Sequence, residues 1–124
     1  MKKQRLTSVK MALEWTRDLW AWLARNPGAE KHEWPGWKTR QTCRYNCPCC
    51  QIVKQKCSKC PLLSLWGDTK NWTIFDGNPC MILEGSPYVK WHATKYAGDW
   101  DWGNGAAAAA RKISQAAAKE LKKI

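Results

Sequence analysis

The sequence predicts a mainly α fold with a small four-cysteine zinc-knuckle segment, irregular loops and room for one short β-hairpin. Three observations predict it. An apolar rhythm of helical period runs along the start of the chain. An alanine- and lysine-rich run lies near the other end. Between them, six of the seven cysteines fall within residues 43–60. The chain has 124 residues, enough for one domain, 1–124. A chain of this size buries roughly 65% of its unfolded surface, so a metal staple would supplement a modest core.

Residues 5–26 read as the core helix. At one hundred degrees per residue, Leu6, Val9, Leu13, Thr16, Trp20 and Leu23 form one stripe. Ala12, Trp15, Leu19 and Trp22 form a second stripe beside it, and Lys10, Glu14, Arg17, Asp18 and Arg25 lie opposite. The apolar face covers about half the cylinder. Asn26-Pro27-Gly28 stops the helix.

Residues 27–42 form an irregular connection. In it Trp34-Pro35-Gly36-Trp37 is turn chemistry flanked by two large rings, expected to fold back over a core edge.

Residues 43–85 are the cysteine-rich segment. Cys47 with Cys50, and Cys57 with Cys60, make two C-x-x-C pairs. Both sulfurs of such a pair reach one ion, and two pairs complete the four-thiolate tetrahedron that Zn²⁺ accepts, at about 2.3 Å per Zn–S bond. Cys43, Cys49 and Cys80 compete as ligands. Cys80 is the main substitute, because it would tie residues 61–85 to the knuckles. A four-sulfur shell leaves no open position, which makes the expected site structural. A redox C-x-x-C and an Fe–S cluster are the other chemistries open to these cysteines. The redox reading lacks a thioredoxin-like βαβ context, and the deaminase pattern fails because Pro48-Cys49-Cys50 lacks its spacing. Short apolar runs at 72–75 and 80–83 flank the turn Asp76-Gly77-Asn78-Pro79, which is where a hairpin fits.

Residues 86–97 read as a short helix, with Ser86 as cap and Pro87 at the first position. It would place Tyr88, Trp91 and Lys95 on one face. Residues 98–105 read as a loop. Residues 106–124 form the last helix, with Asn104 available to cap it. Ala106, Ala110, Ile113, Ala117, Leu121 and Ile124 share one face; Arg111, Lys112, Lys119, Lys122 and Lys123 share the other. The apolar face is mostly methyl groups. It is expected to dock weakly, to lie close against a neighbour, or to wait for a partner.

Charge and aromatics direct the functional reading. Twenty-one Lys and Arg oppose ten Asp and Glu, a formal +11 that favours acidic partners. Ten Trp against one Phe is an unusual ratio. Most of these rings are expected to build the core, leaving some to stack on bases or cations. From residue 34 to residue 67 there are Lys38, Arg40, Arg44, Lys54, Lys56 and Lys59, and no acid. Part of that charge offsets a four-thiolate zinc centre. The rest, with Tyr45, would meet phosphates and bases. Lys2, Lys3 and Arg5 add a further basic region.

His32 and His92 have loop and helix settings. Asp99, Asp101 and Asn104 lack the remainder of a calcium loop. No Ser/His/Asp set, carboxylate pair or phosphate loop stands out, so no catalytic residues are assigned and the chain reads as non-enzymatic. No signal peptide is visible, and no run approaches the roughly 20 apolar residues of a membrane helix. The expected location is the cytoplasm, where clustered thiols stay reduced.

The layout of Trp20 and Trp22, Asn26-Pro27, Trp34-Pro35, Cys47, Cys50, Cys57, Cys60-Pro61, Cys80, Tyr88 and Trp91 resembles a loose group of small cysteine- and tryptophan-rich bacteriophage-encoded proteins, mostly of unassigned function. Cys43 and Cys49 depart from that pattern. The resemblance implies an accessory protein acting on host machinery in the host cytoplasm. The leading expectation is a non-catalytic, zinc-stabilised basic protein that engages the acidic surface of a nucleic acid or nucleoprotein complex. One alternative is an inhibitor that binds an acidic host protein, such as an antiviral-defence effector or a polymerase. A second is a protein that sequesters a nucleotide-like ligand between rings and cations.

Overall fold

The computed structural model of the chain describes residues 4–26, 28–40, 48–52, 60–62, 65, 86–95 and 102–124. These residues are mainly helical. Helix α1 is Val9–Arg25, α2 is Pro48–Ile52, α3 is Pro87–Lys95 and α4 is Trp102–Leu121. Two single-turn 3-10 segments, Lys31–Glu33 and Pro35–Lys38, follow α1. Among the described residues there is no strand, only an isolated parallel bridge between Gln4 and Arg40. The sequence-predicted hairpin at 72–83 lies outside the described residues, as do Cys43, Cys47, Cys57 and Cys80.

Helix α1 starts later than the apolar pattern, because Ser8 intervenes as a cap. Its extended backbone and its Oγ, which accepts a hydrogen bond from the Met11 N–H at 3.1 Å, set the first turn at Val9. Val9 is therefore on a freshly capped end and is 43% exposed rather than part of the buried stripe. The two stripes are buried from Ala12 to Leu23 except for Trp22, which is partly buried against the core. At the other end Asn26 terminates the helix, its Nδ2 donating to the Trp22 carbonyl at 2.8 Å. Gly28 then takes φ 87°, the left-handed geometry that glycine allows without strain.

Helix α4 lies closely on α1 and α3, and α1 and α4 make the largest contact between elements. Ala106, Ala110, Ile113 and Ala117 are completely buried. The thin apolar face does not dock weakly: methyl groups let the backbones approach. The Ser114 hydroxyl donates to the Arg17 carbonyl at 2.8 Å across this seam. Ile124, beyond the helix end, is 68% exposed and takes no part in the face. The helix also begins at Trp102, so Asn104 sits inside its first turn rather than capping it, and part of the expected 98–105 loop is helical.

Rings join α1 to α3. Trp20 meets Trp91 edge-on, with ring centroids 4.9 Å apart, and Tyr88 edge-on at 5.7 Å. Both Trp20 and Trp91 are essentially inaccessible. Such edge-to-face pairs add about 0.5–1.5 kcal/mol each beyond the area they bury. Ser86 is buried, and its carbonyl accepts from the Lys90 N–H at 3.1 Å, which opens α3 before Pro87. Trp34 and Trp37 fold back against the same core, the covering role expected of the Pro-Gly turn between them.

Candidate functional site

The cationic residues of α4 and of the turn that ends it form one strip. Arg111, Lys112, Lys119, Lys122 and Lys123 are all exposed. By helical geometry they fall within a band about 120° wide and about 18 Å long, with Gln115 as its only neutral member. The one acid on this part of the chain is Glu120, whose Oε1 pairs with Lys123 Nζ at 3.1 Å. Among the described residues Arg111, Lys112, Lys119 and Lys122 have no ion-pair partner.

Two causes account for cations on a helix. Lys119, Lys122 and Lys123 cluster at the C-terminal end, where the macrodipole favours positive charge. Arg111 and Lys112 sit mid-helix and gain nothing from it. Helix stability therefore does not explain the whole strip.

The outer side of α1 behaves differently. Arg17 Nε donates to Asp18 Oδ1 at 2.9 Å. That bond, helped by the charges of Asp18 and Glu14, raises the Arg17 pKa above its ordinary value. The pair is about two-fifths exposed on each side, so it adds little stability.

The loop cations split. Lys38 is exposed at the end of the second 3-10 turn, while Arg40 is half-buried. The Arg40 guanidinium lies 4.9 Å from the Trp34 ring centroid and 5.9 Å from that of Trp15. Arg44, Tyr45, Lys54, Lys56 and Lys59 lie outside the described residues. A further cation, Lys31, is 6% exposed and holds its Nζ 4.7 Å from the Tyr88 ring centroid. Sequence reading missed both ring contacts, since loop spacing gives no period from which to infer them. A cation three residues after a Trp-Pro-Gly-Trp turn was the available signal for Arg40.

Of the cysteines, Cys49 is completely buried, with its Sγ 3.3 Å from the Thr16 Oγ1 on α1. It holds α2 against the core. Cys50 follows it on α2. Cys60 is half-buried, and its Sγ accepts a hydrogen bond from the Leu62 N–H at 3.4 Å. Leu62 is 2% exposed, so the turn after Cys60 is anchored in the core. Among the described residues no three His, Cys, Asp or Glu side chains gather as a metal site would require; Cys47 and Cys57 lie outside them. Among the same residues no helix is long and apolar enough to cross a membrane.

Comparisons with known protein families, with curated proteins and with solved structures find no match to the chain.

Proposed function

We propose that the chain is a non-catalytic, zinc-stabilised protein that binds nucleic acid, as an accessory protein of the bacteriophage kind. The observation that carries this reading is the α4 strip: exposed cations, two of them mid-helix, with a single acid paired at one end. A duplex offers about one negative charge per 1.7 Å of axis, so a strip about 18 Å long meets more phosphates than it has cations. Lys38 and the cations of 44–59 would extend the contact, and Tyr45 would supply a ring for an unpaired base.

Zinc in this reading is held by Cys47, Cys50, Cys57 and Cys60, with Cys80 as the substitute. The amide-to-sulfur bond at Cys60 supports it. So does the burial of Cys49 against Thr16, which gives that competitor a packing role. The bound ion would close the cysteine-rich segment and supply folding free energy. Metal analysis of Cys→Ser variants checks the ligand set. Cys47→Ser is expected to lose the metal and Cys49→Ser to keep it; the reverse result sinks the choice. A brown protein with visible absorption would replace zinc by an Fe–S cluster.

Binding is tested with a labelled duplex and a labelled single strand across a salt series. Affinity is expected to fall linearly on a log–log plot, with a slope near −4 for about four phosphate contacts. If neither strand form binds at low salt, the nucleic-acid reading is wrong. A protein partner that survives nuclease in a bacterial pulldown would move the strip to an acidic host protein.

A further inference from the structure

Arg40 is placed unlike any other described cation. Its backbone is fixed at the parallel bridge to Gln4, where the Gln4 N–H donates to the Thr39 carbonyl at 2.9 Å. Its guanidinium lies near Trp34 and Trp15, two buried rings on separate elements. Gly36 leaves the space this needs. A Cβ there would sit 2.5 Å from Arg40 Nη1 and 2.5 Å from Trp34 Cζ2, so any larger residue displaces the stack.

The donors of this guanidinium are underused. Nη1 makes only long contacts, 3.5 Å to the Gly36 carbonyl and 3.5 Å to Thr39 Oγ1. Nε is buried with no hydrogen-bond partner among the described residues. No carboxylate among them pairs with Arg40. The nearest acid in sequence, Glu33, is turned back on its own 3-10 turn, where its Oε1 accepts from the Glu30 N–H at 3.3 Å. A half-buried cation with no anion among the described residues is costly, and a strut between two rings does not require a charge. Ring contact covers the faces of a guanidinium, while its hydrogen-bond donors lie in its plane. Those in-plane donors match the oxygens of a phosphate as a fork.

We infer that Arg40, held ready by Trp15, Trp34 and the gap at Gly36, is a phosphate-binding residue. The inference deepens the nucleic-acid reading by naming a side chain that meets a phosphate, and the two fail separately. The source is either a phosphodiester of a bound strand or free phosphate.

The test uses the full chain with its arginines labelled in ¹⁵N, and reads the Arg40 Nε–H signal. That signal is assigned by its loss in Arg40→Lys. Titration with inorganic phosphate is expected to move it, and chloride at matched ionic strength is not. Arg40→Lys, which keeps the charge and loses the fork, is expected to weaken single-strand binding by at least about tenfold with helix content unchanged. Gly36→Ala should abolish the phosphate response by displacing the stack. A signal in the parent protein that ignores phosphate overturns the inference, as does undiminished phosphate binding by folded Arg40→Lys. If phosphate moves the signal and no oligonucleotide binds, Arg40 keeps its role with free phosphate as the ligand, and the nucleic-acid reading falls.

Discussion

The outward sides of α1 and α4 are built from the same kinds of residue and end in opposite electrostatic states. On α1 the outer residues are Lys10, Glu14, Arg17, Asp18 and Arg25, with acids interleaved among bases and Arg17 bonded to its neighbour Asp18. On α4 and the turn that ends it the outer side carries five bases, and the one acid is engaged by Lys123 at the end. Both helices keep an apolar inner side. Folding needs that amphipathicity, but it does not need the second helix to be unbalanced. The difference teaches that amphipathicity alone does not set the outer charge: Arg111 and Lys112, away from the helix end, gain nothing from the macrodipole, and they are the part of the strip that the proposed partner has to explain.

The largest test removes the imbalance. Changing Arg111, Lys112, Lys119 and Lys122 together to Gln should cost on the order of 100-fold in duplex affinity at 50 mM salt and flatten the salt slope to what the loop cations alone contribute. Lys10→Gln with Arg25→Gln on α1 is the matched control, and it should change affinity by only a few-fold. Equal losses from the two helices would erase the contrast between them.

A smaller effect sharpens the inner side of the same comparison. Ala110→Leu forces a larger side chain into the completely buried seam with α1, and urea unfolding should show a loss of about 1–3 kcal/mol. Ala108→Leu, on the exposed side, should stay within about 0.5 kcal/mol of the parent. The seam is loose if both variants behave alike.

The smallest effect concerns the neutralised pair. Arg17→Gln with Asp18→Asn should change stability by less than about 1 kcal/mol, because both partners are well exposed. Strand binding should not change at all. A marked gain in the salt slope on removing this pair would mean that α1 takes part in the interface.

The helices were readable from sequence because burial leaves a period. Leu13, Thr16, Trp20 and Leu23 repeat at helical spacing, and each is buried. On α4 the division between Ala110, Ile113 and Ala117 inside and Lys112 and Lys119 outside was equally plain. The closeness of that packing was not, since a methyl-lined face reads the same whether it docks tightly or stays bare. Helix ends shifted by several residues, because Ser8 captures the first turn locally and a hydrophobic count does not register it. Around the site, the exposed α4 cations followed from the period, whereas Arg40 and Lys31 did not. Their places depend on rings brought in from α1 and α3, contacts between distant residues in aperiodic chain. Cys49 is a similar case: only the approach of α2 to Thr16 separates it from its neighbours Cys47 and Cys50.

The bond from Ser114 to the Arg17 carbonyl joins positions 97 residues apart. During synthesis α1 emerges early with a tryptophan-rich side, and the helix that covers it is made nearly a hundred residues later. At about 5–20 residues per second, that side waits for several seconds before its partner exists. A helical protein of this size would ordinarily gather itself from nearby contacts. Here the first of the described helices to be made waits for the last, so nascent chains halted before residue 106 should be the ones that chaperones hold and proteases clear.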